Sequence, residues 1–472
     1  MTSSALSELK GKHVTVAGLG VSGVPAAKVL HGLGAHVTVV NDGADERARA
    51  QAADLEALGI TVRLGDGDTL PEGTELIVTA PGWKPDKPLF AAAGQAGVPV
   101  WGDVELAWRL RGPGAAPWLA VTGTNGKTTT VQMLASILRA AGLRTAAVGN
   151  IGVSLLDAVT GEEEYDVLAV ELSSYQLHWA PSLRAHSAAV LNLAPDHLDW
   201  HGSMEAYAAD KGRIYEGNRV ACVYNVADKA TEDLVREADV EEGCRAIGFT
   251  LGTPAPSQLG VVDGILVDRA FVEDRHKNAQ ELAEVSDVNP PAPHNIANAL
   301  AAAALARAFG VSAAAVRDGL RSFTPDAHRI AHVADVDGVA YIDDSKATNT
   351  HAAEASLAAY ESIVWIAGGL AKGATFDELV ARAAKRLRGA VLIGADRALI
   401  REALARHAPE VPVVDLDRTD TGAMLQAVQE AQRLARPGDT VLLAPACASM
   451  DMFTNYNKRG DAFAEAVREL GA

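Results

Sequence analysis

Short runs of Val, Ile and Leu recur along the chain and alternate with longer stretches of helical periodicity. The runs that resemble strands most clearly are HVTVAG, HVTVV, ELIVTA, WLAVTG, YDVLAVEL, AAVLNL, SIVWIAGG, AVLIGA and TVLLAPA. Strands that are apolar throughout and separated by helices are typical of parallel sheets that are covered by helices on both faces. The pattern therefore predicts an α/β fold that is built on parallel sheets.

Two breaks in this pattern predict domain boundaries. The segment RGPGAAP at 111–117 loses periodicity and concentrates Gly and Pro, and TPDAHR, which follows Phe323, precedes a new strand-rich segment. The chain has 472 residues, which agrees with a length of roughly 100 to 200 residues for each of three domains. We expect these domains to cover residues 1–112, 113–325 and 326–472.

The stretch at 252–293 differs from its surroundings. It is polar, contains Pro and carries only short strand-like pieces such as VVDGILV. This composition predicts a peripheral sheet or loop region within the middle domain, followed by an Ala-rich helix from Asn295.

Composition and charge exclude several classes of protein. A hydrophobic content of 48% with 22% charged residues is typical of a compact globular enzyme rather than a disordered or fibrous chain. The formal net charge of -18, without a long Lys/Arg run, argues against a nucleic-acid partner. The most apolar stretch, Ala297 to Phe309, is interrupted by Arg307 and is too short to cross a bilayer, so no membrane partner is expected.

Cysteine usage and the N-terminal sequence predict the compartment. Cys222, Cys244 and Cys447 form no Cys-x-x-Cys pair and no even disulfide framework, which fits reduced thiols, mostly in the core. The N-terminus lacks a long apolar block with a cleavage site, so it does not resemble a signal peptide. We expect a cytoplasmic enzyme that works as a monomer.

The segment WLAVTGTNGKTTT predicts a phosphate-binding loop between a strand and a helix. Its glycines allow backbone N–H groups to turn toward an anion, Lys127 supplies positive charge to the β and γ phosphates, and the Thr128 hydroxyl can reach Mg²⁺. The helix N-terminus adds further donors. Strict Walker A spacing requires Gly where this chain has Val121, so the loop is a shortened relative of that motif.

A second glycine-rich loop, Gly18-Leu19-Gly20-Val21-Ser22-Gly23, follows the first strand, and Asp42 lies at the end of the next strand. By spacing this is a dinucleotide-binding fingerprint. NAD, another nucleotide diphosphate and a plain strand-to-helix turn explain it about equally well. The second phosphate-binding loop in the same chain favours a nucleotide-linked substrate here.

Acidic and histidine side chains follow two further apolar strands, in ELSSYQL and LNLAPDHLDWHG. Because ligands bind at the carboxyl ends of strands in open parallel sheets, Glu171 and His197 are expected beside the phosphates at Lys127. Asp196 and Asp199 are further carboxylates nearby. Oxygen ligands with one imidazole suit Mg²⁺ or Mn²⁺.

Six motifs together resemble the Mur ligases over nearly the whole chain. They are GTNGKT at 123–128, ELSSYQ at 171–176, LNLAPDHLD at 191–199, HNIAN at 294–298, HR at 328–329 and DDSKATN at 343–349. Within that family, DDSKATN, PACASMDMFTNYNKRG and GDVEL at 102–106 resemble the members that add D-glutamate. The Asp-Asn-Pro-Arg signature of the diaminopimelate-adding relatives is absent from the sequence.

The resemblance implies a fold and an activity. The fold comprises a Rossmann-like N-terminal domain for the UDP moiety, a central P-loop domain for ATP and a Rossmann-like C-terminal domain for the amino acid. The activity is ATP-dependent amide ligation in peptidoglycan synthesis, which joins D-glutamate to UDP-N-acetylmuramoyl-L-alanine through an acyl phosphate and releases ADP and phosphate. Mg²⁺ is the expected metal ion, with Mn²⁺ as the alternative.

The resemblance also implies roles for individual residues around the nucleotide. The ATP-binding residues are Gly123, Thr124, Asn125, Gly126, Lys127, Thr128, Thr129, Asn295, Asn298 and Arg329. The metal ligands are Thr128, Glu171, His197 and Lys211, the last as a carbamate. The catalytic residues are Lys127, His197, Lys211 and Asp344.

The two other substrates have their own implied residues. Those for the UDP substrate are Gly18, Gly20, Val21, Ser22, Gly23, Asp42, Asn150, Ser173 and Gln176. Those for D-glutamate are Thr348, Lys372, Ser449, Met450 and Tyr456. Met450 and Tyr456 stand where the family commonly has Leu and Phe, and both keep an apolar body.

Several alternatives stay open. Lys211 by itself is a helix lysine, for which a solvated surface position is the commoner outcome, so its carbamate is a hypothesis from resemblance. Asp344, His328 or a metal-bound hydroxide could deprotonate the incoming amine. The relatives have an Asp-Thr pair for the uracil where this chain has Asn41-Asp42, so the uracil contacts are undecided.

Three rival functions stay open. A ligase for another amino acid or for folyl polyglutamate would use the same fold and mechanism. An NAD-dependent dehydrogenase would explain the first glycine-rich loop but not GTNGKT, and a nucleotide-binding regulatory protein would leave Glu171, His197 and Asp344 without a role.

Overall fold

The computed structural model describes residues 8–418, 420 and 422–470. The strands are β1 (His13–Ala17), β2 (His36–Asn41), β3 (Thr61–Leu64), β4 (Leu76–Thr79), β5 (Val100–Gly102), β6 (Trp118–Thr122), β7 (Thr145–Gly149), β8 (Val167–Glu171), β9 (Ser187–Val190), β10 (Ala221–Asn225), β11 (Arg245–Phe249), β12 (Gln258–Val262), β13 (Ile265–Asp268), β14 (Gln280–Glu284), β15 (Ala331–Val336), β16 (Val339–Asp343), β17 (Ile363–Gly368), β18 (Leu387–Ile393), β19 (Val413–Asp415) and β20 (Thr440–Leu443).

Helices alternate with these strands along most of the described chain. They are Gly23–Gly32, Glu46–Glu56, Pro88–Ala96, Asp103–Leu110, Lys127–Ala140, Leu155–Thr160, Ser174–His178, Leu198–His201, Met204–Gly212, Lys229–Glu237, Pro293–Ala308, Ala313–Ser322, Thr350–Leu357, Asp377–Ala383, Arg397–His407, Ala423–Leu434 and Tyr456–Leu470. Three 3₁₀ helices add short turns at Arg213–Tyr215, Val285–Asp287 and Ala384–Arg386.

The chain divides into two compact units. One comprises Met1–Val288 with Ile296–Phe323, and the other comprises Asn289–Asn295 with Thr324–Ala472. The first unit contains two of the three sheets and the second unit contains the third. The exact domain boundaries after residues 112 and 325 stay a prediction.

The first sheet is parallel throughout and has the order β3-β2-β1-β4-β5. Val14 and Val16 on the central strand are almost completely buried, which explains why HVTVA forms an inner strand. The chain leaves β1 in one direction to reach β2 and returns to the other side of β1 as β4. The gap between the carboxyl ends of β1 and β4 is therefore a topological switch point.

The second sheet has the order β14-β13-β12-β11-β10-β9-β6-β8-β7. The strands from β7 to β12 in this order run parallel, whereas β12, β13 and β14 are antiparallel neighbours at one edge. This edge is the peripheral sheet that the sequence predicted within 252–293. The two-residue turn between β12 and β13 requires antiparallel pairing, because parallel neighbours need a longer crossover connection.

Two closely packed helices support the strand that leads into the phosphate-binding loop. Gly319 lies so close to the helix Lys127–Ala140 that a Cβ atom there would be 2.4 Å from the Ile137 Cα atom. Ser136 Oγ donates to the Gly319 carbonyl oxygen at 2.7 Å. The neighbouring Ala-rich helix Pro293–Ala308 is completely buried from Ala299 to Ala306, so its small side chains fill the core instead of facing solvent.

The third sheet has the order β15-β16-β20-β17-β18-β19, in which only the edge strand β15 is antiparallel. Trp365 on β17 is fully buried, and its indole Nε1 donates to the Ala444 carbonyl oxygen at 2.7 Å. This arrangement confirms the predicted α/β class. Within the described ranges no helix combines the length and the apolar composition that a bilayer crossing requires.

Candidate active site

The phosphate-binding loop connects β6 to the helix Lys127–Ala140, as the sequence predicts. Gly123 and Gly126 have φ angles of 154° and 83°, which favour glycine. A Cβ atom at Gly126 would lie 2.4 Å from Asn298 Oδ1, so the Asn298 side chain packs directly against the loop. Asn125 N donates to Asn192 Oδ1 at 2.9 Å, which fixes the loop to the end of β9.

Two lysines converge on the first residues of the loop. Lys127 Nζ donates to the carbonyl oxygens of Gly123 and Thr124, each at 2.9 Å. Lys211 Nζ donates to the same Gly123 oxygen at 2.8 Å. The positive charge of Lys127 at this point suits a polyphosphate.

Lys211 is not on the surface. The residue is only 2% exposed, so the solvated position that the sequence alone favoured is wrong. Burial lowers the pKa of the Lys211 amine well below its ordinary value, and the charge of Lys127 lowers it further. Burial thus favours the neutral form of the Lys211 amine, and a neutral amine is nucleophilic.

Glu171 lies at the carboxyl end of β8, beside β6, and is 2% exposed. Its Oε1 atom accepts a hydrogen bond from Asn150 Nδ2 at 3.0 Å. Its Oε2 atom is buried and has no hydrogen-bond partner within the described residues. A buried carboxylate oxygen without a donor is what a divalent cation would satisfy.

His197 precedes the helix Leu198–His201 and has a φ angle of 55°, which is unusual for a residue other than glycine. Such backbone strain occurs frequently at functional sites. Burial lowers the pKa of His197, and although Asp196 opposes this shift, Lys127 adds to it. A neutral imidazole can coordinate a metal ion, and the buried Glu171 carboxylate suits Mg²⁺, so both residues fit a metal site chemically, which Lys211 would join only as a carbamate. Over the described ranges, no three His, Cys, Asp or Glu side chains form a metal cage by themselves.

The buried Asp210 organises a hydrogen-bonded network that was not apparent from the sequence. His178 Nδ1 and His201 Nδ1 both contact Asp210 Oδ2, at 2.9 and 3.0 Å, and Arg213 Nε lies 3.1 Å from Oδ1. His201 Nε2 also contacts Ser174 Oγ at 2.9 Å. Burial alone would raise the pKa of Asp210, but the hydrogen bonds from the two histidines outweigh it and lower the pKa.

This network connects the segments that carry the candidate ligands. Ser174 lies three residues after Glu171, and Asp210 is adjacent to Lys211. His201 is the last residue of the short helix that follows His197. In the same helix as Asp210, Tyr207 OH lies 3.0 Å from Thr124 Oγ1 in the phosphate-binding loop. The network therefore fixes three separate segments around the loop.

The glycine-rich loop after β1 is tightly folded. A Cβ atom at Gly23 would lie 1.9 Å from the Gly18 carbonyl oxygen, so only glycine fits there. Val21 is 83% exposed, and Leu19 N donates to Asn41 Oδ1 at 3.0 Å. Asn41 rather than Asp42 thus contacts the loop.

The other residues expected to contact the UDP substrate have definite partners. Asp42 forms an ion pair of 3.0 Å with Lys87. Ser173 and Gln176 form a capping box at the start of the helix Ser174–His178, which engages the Gln176 side-chain oxygen. Their roles in substrate binding stay a prediction.

In the second unit, Asp344 follows β16 and is 7% exposed. Its carboxylate accepts hydrogen bonds from the Ser356 hydroxyl and from Ile330 N. Burial raises the pKa of Asp344 to about 6, and the hydrogen bonds from Ser356 and Ile330 N, with the charge of Arg329, only partly offset this shift. His328 Nδ1 lies 2.6 Å from Asp343 Oδ2, and this hydrogen bond raises the pKa of His328.

The residues expected to bind D-glutamate follow three adjacent parallel strands, β16, β20 and β17. Backbone hydrogen bonds of 2.9 Å from Ala446 to Ala347 and from Leu370 to Ala448 join the segments that carry Thr348, Ser449 and Lys372. Lys346 Nζ lies 4.0 Å from the centroid of the Tyr456 ring, and Met450 is 62% exposed.

The buried Arg459 stabilises this edge of the sheet, and the sequence did not identify it. Its guanidinium donates to Ser345 Oγ, the Ser345 carbonyl oxygen and the Cys447 carbonyl oxygen at 3.0, 2.8 and 3.1 Å. It thus joins DDSKATN to PACASM from the last helix. A charged residue in the repeat of an amphipathic helix resembles any solvent-facing arginine in sequence, so the signal is weak.

Family models match most of this chain. The Mur ligase middle domain matches residues 121–306, and the Mur ligase glutamate ligase domain matches residues 328–447. The first match contains the phosphate-binding loop, Glu171, His197 and Lys211, and the second contains Asp344.

Curated relatives match over the full length. The UDP-N-acetylmuramoylalanine–D-glutamate ligase of Streptomyces coelicolor is 93% identical over 469 residues, which cover 99% of this chain and 100% of that protein. The enzyme of the same name from Streptomyces avermitilis is 90% identical over 467 residues, with coverage of 99% and 100%.

A solved structure with the same architecture is the MurF ligase from Thermotoga maritima in complex with ADP. It superposes with a TM-score of 0.57 at 15% identity and covers 100% of this chain and 99% of that one. At this identity the likeness concerns the three-domain fold alone. With the full-length relatives and both domain matches, it follows that this chain belongs to the Mur ligase family.

Proposed function

We propose that this chain is the cytoplasmic enzyme that adds D-glutamate to UDP-N-acetylmuramoyl-L-alanine, with ATP as the energy source, during peptidoglycan synthesis. The observation that carries the proposal is the convergence of Lys127 and the buried Lys211 on Gly123 of the phosphate-binding loop. Two full-length relatives that are at least 90% identical carry the name of that activity.

The first step activates a carboxylate. The L-alanyl carboxylate of the substrate attacks the γ phosphorus of ATP, the bond to the β,γ-bridging oxygen breaks, and an acyl phosphate and ADP result. Lys127 and the backbone N–H groups of the loop neutralise charge on the transferring group. Such preorganised donors supply a large part of the rate enhancement.

Thr128, Glu171, His197 and a carbamate on Lys211 would hold Mg²⁺. The ion supplies Lewis-acid stabilisation of the phosphoryl oxygens. The free Oε2 lone pairs of Glu171 and the lowered pKa values of His197 and Lys211 support this ligand set. A neutral Lys211 amine can add CO₂ at its nitrogen and release a proton, which turns a neutral group into an anion that a metal ion can stabilise.

The second step forms the amide. The amine of D-glutamate loses a proton and attacks the acyl carbon, and the tetrahedral intermediate expels phosphate. Asp344, with a pKa raised by burial to about 6, is a better acceptor near neutral pH than His328, whose hydrogen bond to Asp343 stabilises the protonated form. We therefore favour Asp344 over His328 as the base.

The two carboxylates of D-glutamate need cations and hydroxyl donors. Thr348, Lys372 and Ser449 supply them on adjacent strand ends, whereas Met450 and Tyr456 supply apolar contact. For ATP, Asn298 beside Gly126 and the loop residues 123–129 are the proposed contacts, together with Asn295 and Arg329. Monomeric action is part of the proposal.

The test measures phosphate release from MgATP with UDP-N-acetylmuramoyl-L-alanine. D-glutamate, L-glutamate, L-lysine and diaminopimelate are compared as acceptors. Turnover with D-glutamate alone supports the proposal, turnover with another amino acid would change the specificity within the family, and no turnover would contradict the ligase function.

A variant separates the ATP site from the substrate site. Lys127→Ala should abolish phosphate release because the γ-phosphate loses its cation, whereas binding of the UDP substrate should stay nearly unchanged. Lys229→Ala is the matched control, since Lys229 is 73% exposed and pairs only with Asp233 on its own helix. Loss of both functions in Lys127→Ala would contradict the division into two sites.

A further inference from the structure

Two of the three cysteines lie next to each other in the first unit. Cys222 is on β10, and Cys244 comes directly before β11, with 3.9 Å between the two sulfur atoms. The contact joins residues that are 22 positions apart in the sequence, so no Cys-x-x-Cys motif indicates it. The fold alone creates this pair of thiols.

Both thiols lie on the same face of the second sheet. Cys222 and Cys244 belong to the apolar cluster beneath the helix Lys229–Glu237. Ala221 and Val223, the neighbours of Cys222 on β10, belong to the cluster on the opposite face, as the alternation of side chains along a strand requires. A disulfide carries no charge and no strong hydrogen-bonding group, so the same apolar cluster can hold it without an uncompensated polar group.

The chain around Cys244 can close the remaining distance between the sulfurs. An S–S bond is about 2.05 Å long, so the two atoms need to approach each other by roughly 2 Å. The segment 238–244 has no regular secondary structure between the helix Lys229–Glu237 and β11. In contrast, Cys222 is held in an inner strand between β9 and β11. Cys244 is therefore the residue that moves when the sulfurs are linked.

The two thiols differ in access and in acidity. Cys222 is 2% exposed, whereas Cys244 is half-buried. With the Cys222 thiol as the donor, their hydrogen bond lowers the pKa of Cys244 and, together with burial, raises the pKa of Cys222. The thiolate is the reactive form of cysteine and must be accessible to react. An oxidant therefore reacts with Cys244 first.

We propose that Cys222 and Cys244 form a redox modification site, at which a hydroperoxide converts the two thiols reversibly into a disulfide. The Cys244 sulfur attacks the outer peroxide oxygen, the O–O bond breaks, and the thiol proton passes to the departing oxygen. The products are a sulfenic acid on Cys244 and one molecule of water or alcohol. The Cys222 sulfur then attacks the sulfenic sulfur, the S–O bond breaks, and the hydroxyl group leaves as water with the Cys222 proton. The hydroperoxide thus takes up the two electrons that the sulfurs lose.

The pairing protects Cys244 from irreversible oxidation. A sulfenic acid without a neighbouring thiol is oxidised further to a sulfinic acid, which ordinary thiols do not reduce. A disulfide, in contrast, returns to two thiols by exchange with a reducing thiol. In a reducing compartment the bond is therefore transient, as is usual for redox-sensing cysteines. The site is independent of the proposed ligase activity, because its readout is the oxidation state of the sulfurs.

The test follows the cysteines of the full-length protein by mass spectrometry after exposure to hydrogen peroxide. The variants are Cys244→Ser, Cys222→Ala and, as the matched control, Cys447→Ser. Cys447 is 1% exposed, and burial raises its pKa to about 12, so it should not react. In the wild type and in Cys447→Ser, peptide mapping should find Cys222 linked to Cys244 with a loss of about 2 Da, which dithiothreitol reverses.

The two other variants separate the roles of the two thiols. Cys244→Ser should slow the loss of titratable thiols by at least about tenfold, because the remaining thiols are buried. In Cys222→Ala, Cys244 should react with dimedone as a sulfenic acid. With further peroxide it should gain about 32 Da as a sulfinic acid, which dithiothreitol does not reverse.

Oxidation of the wild type without a link between Cys222 and Cys244 would overturn the proposal, as would a link that joins two protein molecules. Thiol loss in Cys244→Ser at the wild-type rate would show that Cys244 is not the thiol that reacts first. If Cys222→Ala does not fold, the peptide map of the wild type and the oxidation rate of Cys244→Ser decide the question. Neither of these measurements requires a change at the buried Cys222.

Discussion

The Lys211 ammonium nitrogen donates a 2.8 Å hydrogen bond to the carbonyl oxygen of Gly123, so a buried helix lysine contacts the first glycine of the phosphate-binding loop. The two residues are 88 positions apart in the sequence. Lys127 contacts the same oxygen, and its charge lowers the pKa of Lys211 further than burial alone does. This contact connects the chemistry of Lys211 to the nucleotide.

Replacing Lys211 tests the carbamate. Lys211→Ala should lose at least about 100-fold in kcat, because a charged group at the phosphates disappears. Formate or acetate should restore part of the rate by supplying a carboxylate in the space left by the side chain. Rates of phosphate release with and without these acids are the measurement, and Lys229→Ala is the control. If no short acid restores activity, the carbamate hypothesis loses its support.

Two glycines of the first loop provide a matched pair. A Cβ atom at Gly23 would overlap the Gly18 carbonyl oxygen at 1.9 Å, whereas none of the surrounding atoms lies within 4 Å of the corresponding position at Gly20. Gly23→Ala should therefore displace the loop, lower the thermal stability and raise the KM of the UDP substrate. Gly20→Ala should leave the melting temperature unchanged. Equal melting temperatures for the two variants would contradict the loop geometry.

The buried carboxyl group of Asp344 predicts a pH dependence of stability. Burial raises its pKa from 3.8 to about 6, so the folded state retains a proton that the unfolded state releases in this range. The contribution of Asp344 to stability therefore decreases as pH rises from about 4 to about 6, by up to about 3 kcal/mol.

Asp344→Asn should lack this decrease, because an amide does not titrate. Urea unfolding of wild type and variant at several pH values between 4 and 7 measures the difference. The free energy of unfolding of the variant, relative to that of the wild type, should therefore increase between pH 4 and pH 7. A difference that does not vary with pH would show that the carboxyl group has an ordinary pKa.

The Asp210 network predicts a combined loss of stability and activity. Asp210→Asn leaves buried histidine donors without a full set of acceptors, which costs about 1 to 3 kcal/mol. Because Lys211 is the next residue, kcat should also decrease. The control Asp233→Asn removes only an exposed pair with Lys229 and should change the free energy of unfolding by less than about 0.5 kcal/mol.

The measurements are urea unfolding and steady-state kinetics of both variants. Asp210 has a lowered pKa in the folded state, so its stabilising contribution is present near neutral pH and is lost as pH falls through that pKa. Asp210→Asn with wild-type stability and kcat would show that the network has no part in fixing the three segments.

The sequence alone determined the α/β class because each central strand is buried on both faces and must be apolar throughout. All nine predicted strand runs are strands in the structure. Edge strands such as β3 (TVRL) and β19 (VVD) were not predicted, since half-exposed positions relax the requirement for apolar residues, and the inner strands β10 (ACVYN) and β16 (VAYID) were not predicted either. The phosphate-binding loop could also be predicted from the sequence, because the residues that form it are neighbours in the chain.

Only the tertiary structure decided what burial and distant neighbours do to particular side chains. Lys211 resembles a surface lysine in sequence, yet the fold removes it from water and lowers its pKa. Trp83 approaches Gly18 and Gly67 only because β1, β3 and β4 end at the same edge of one sheet. A sequence specifies residue types and their local periodicity, whereas pKa values and binding surfaces depend on which distant groups the folded chain brings within a few ångströms.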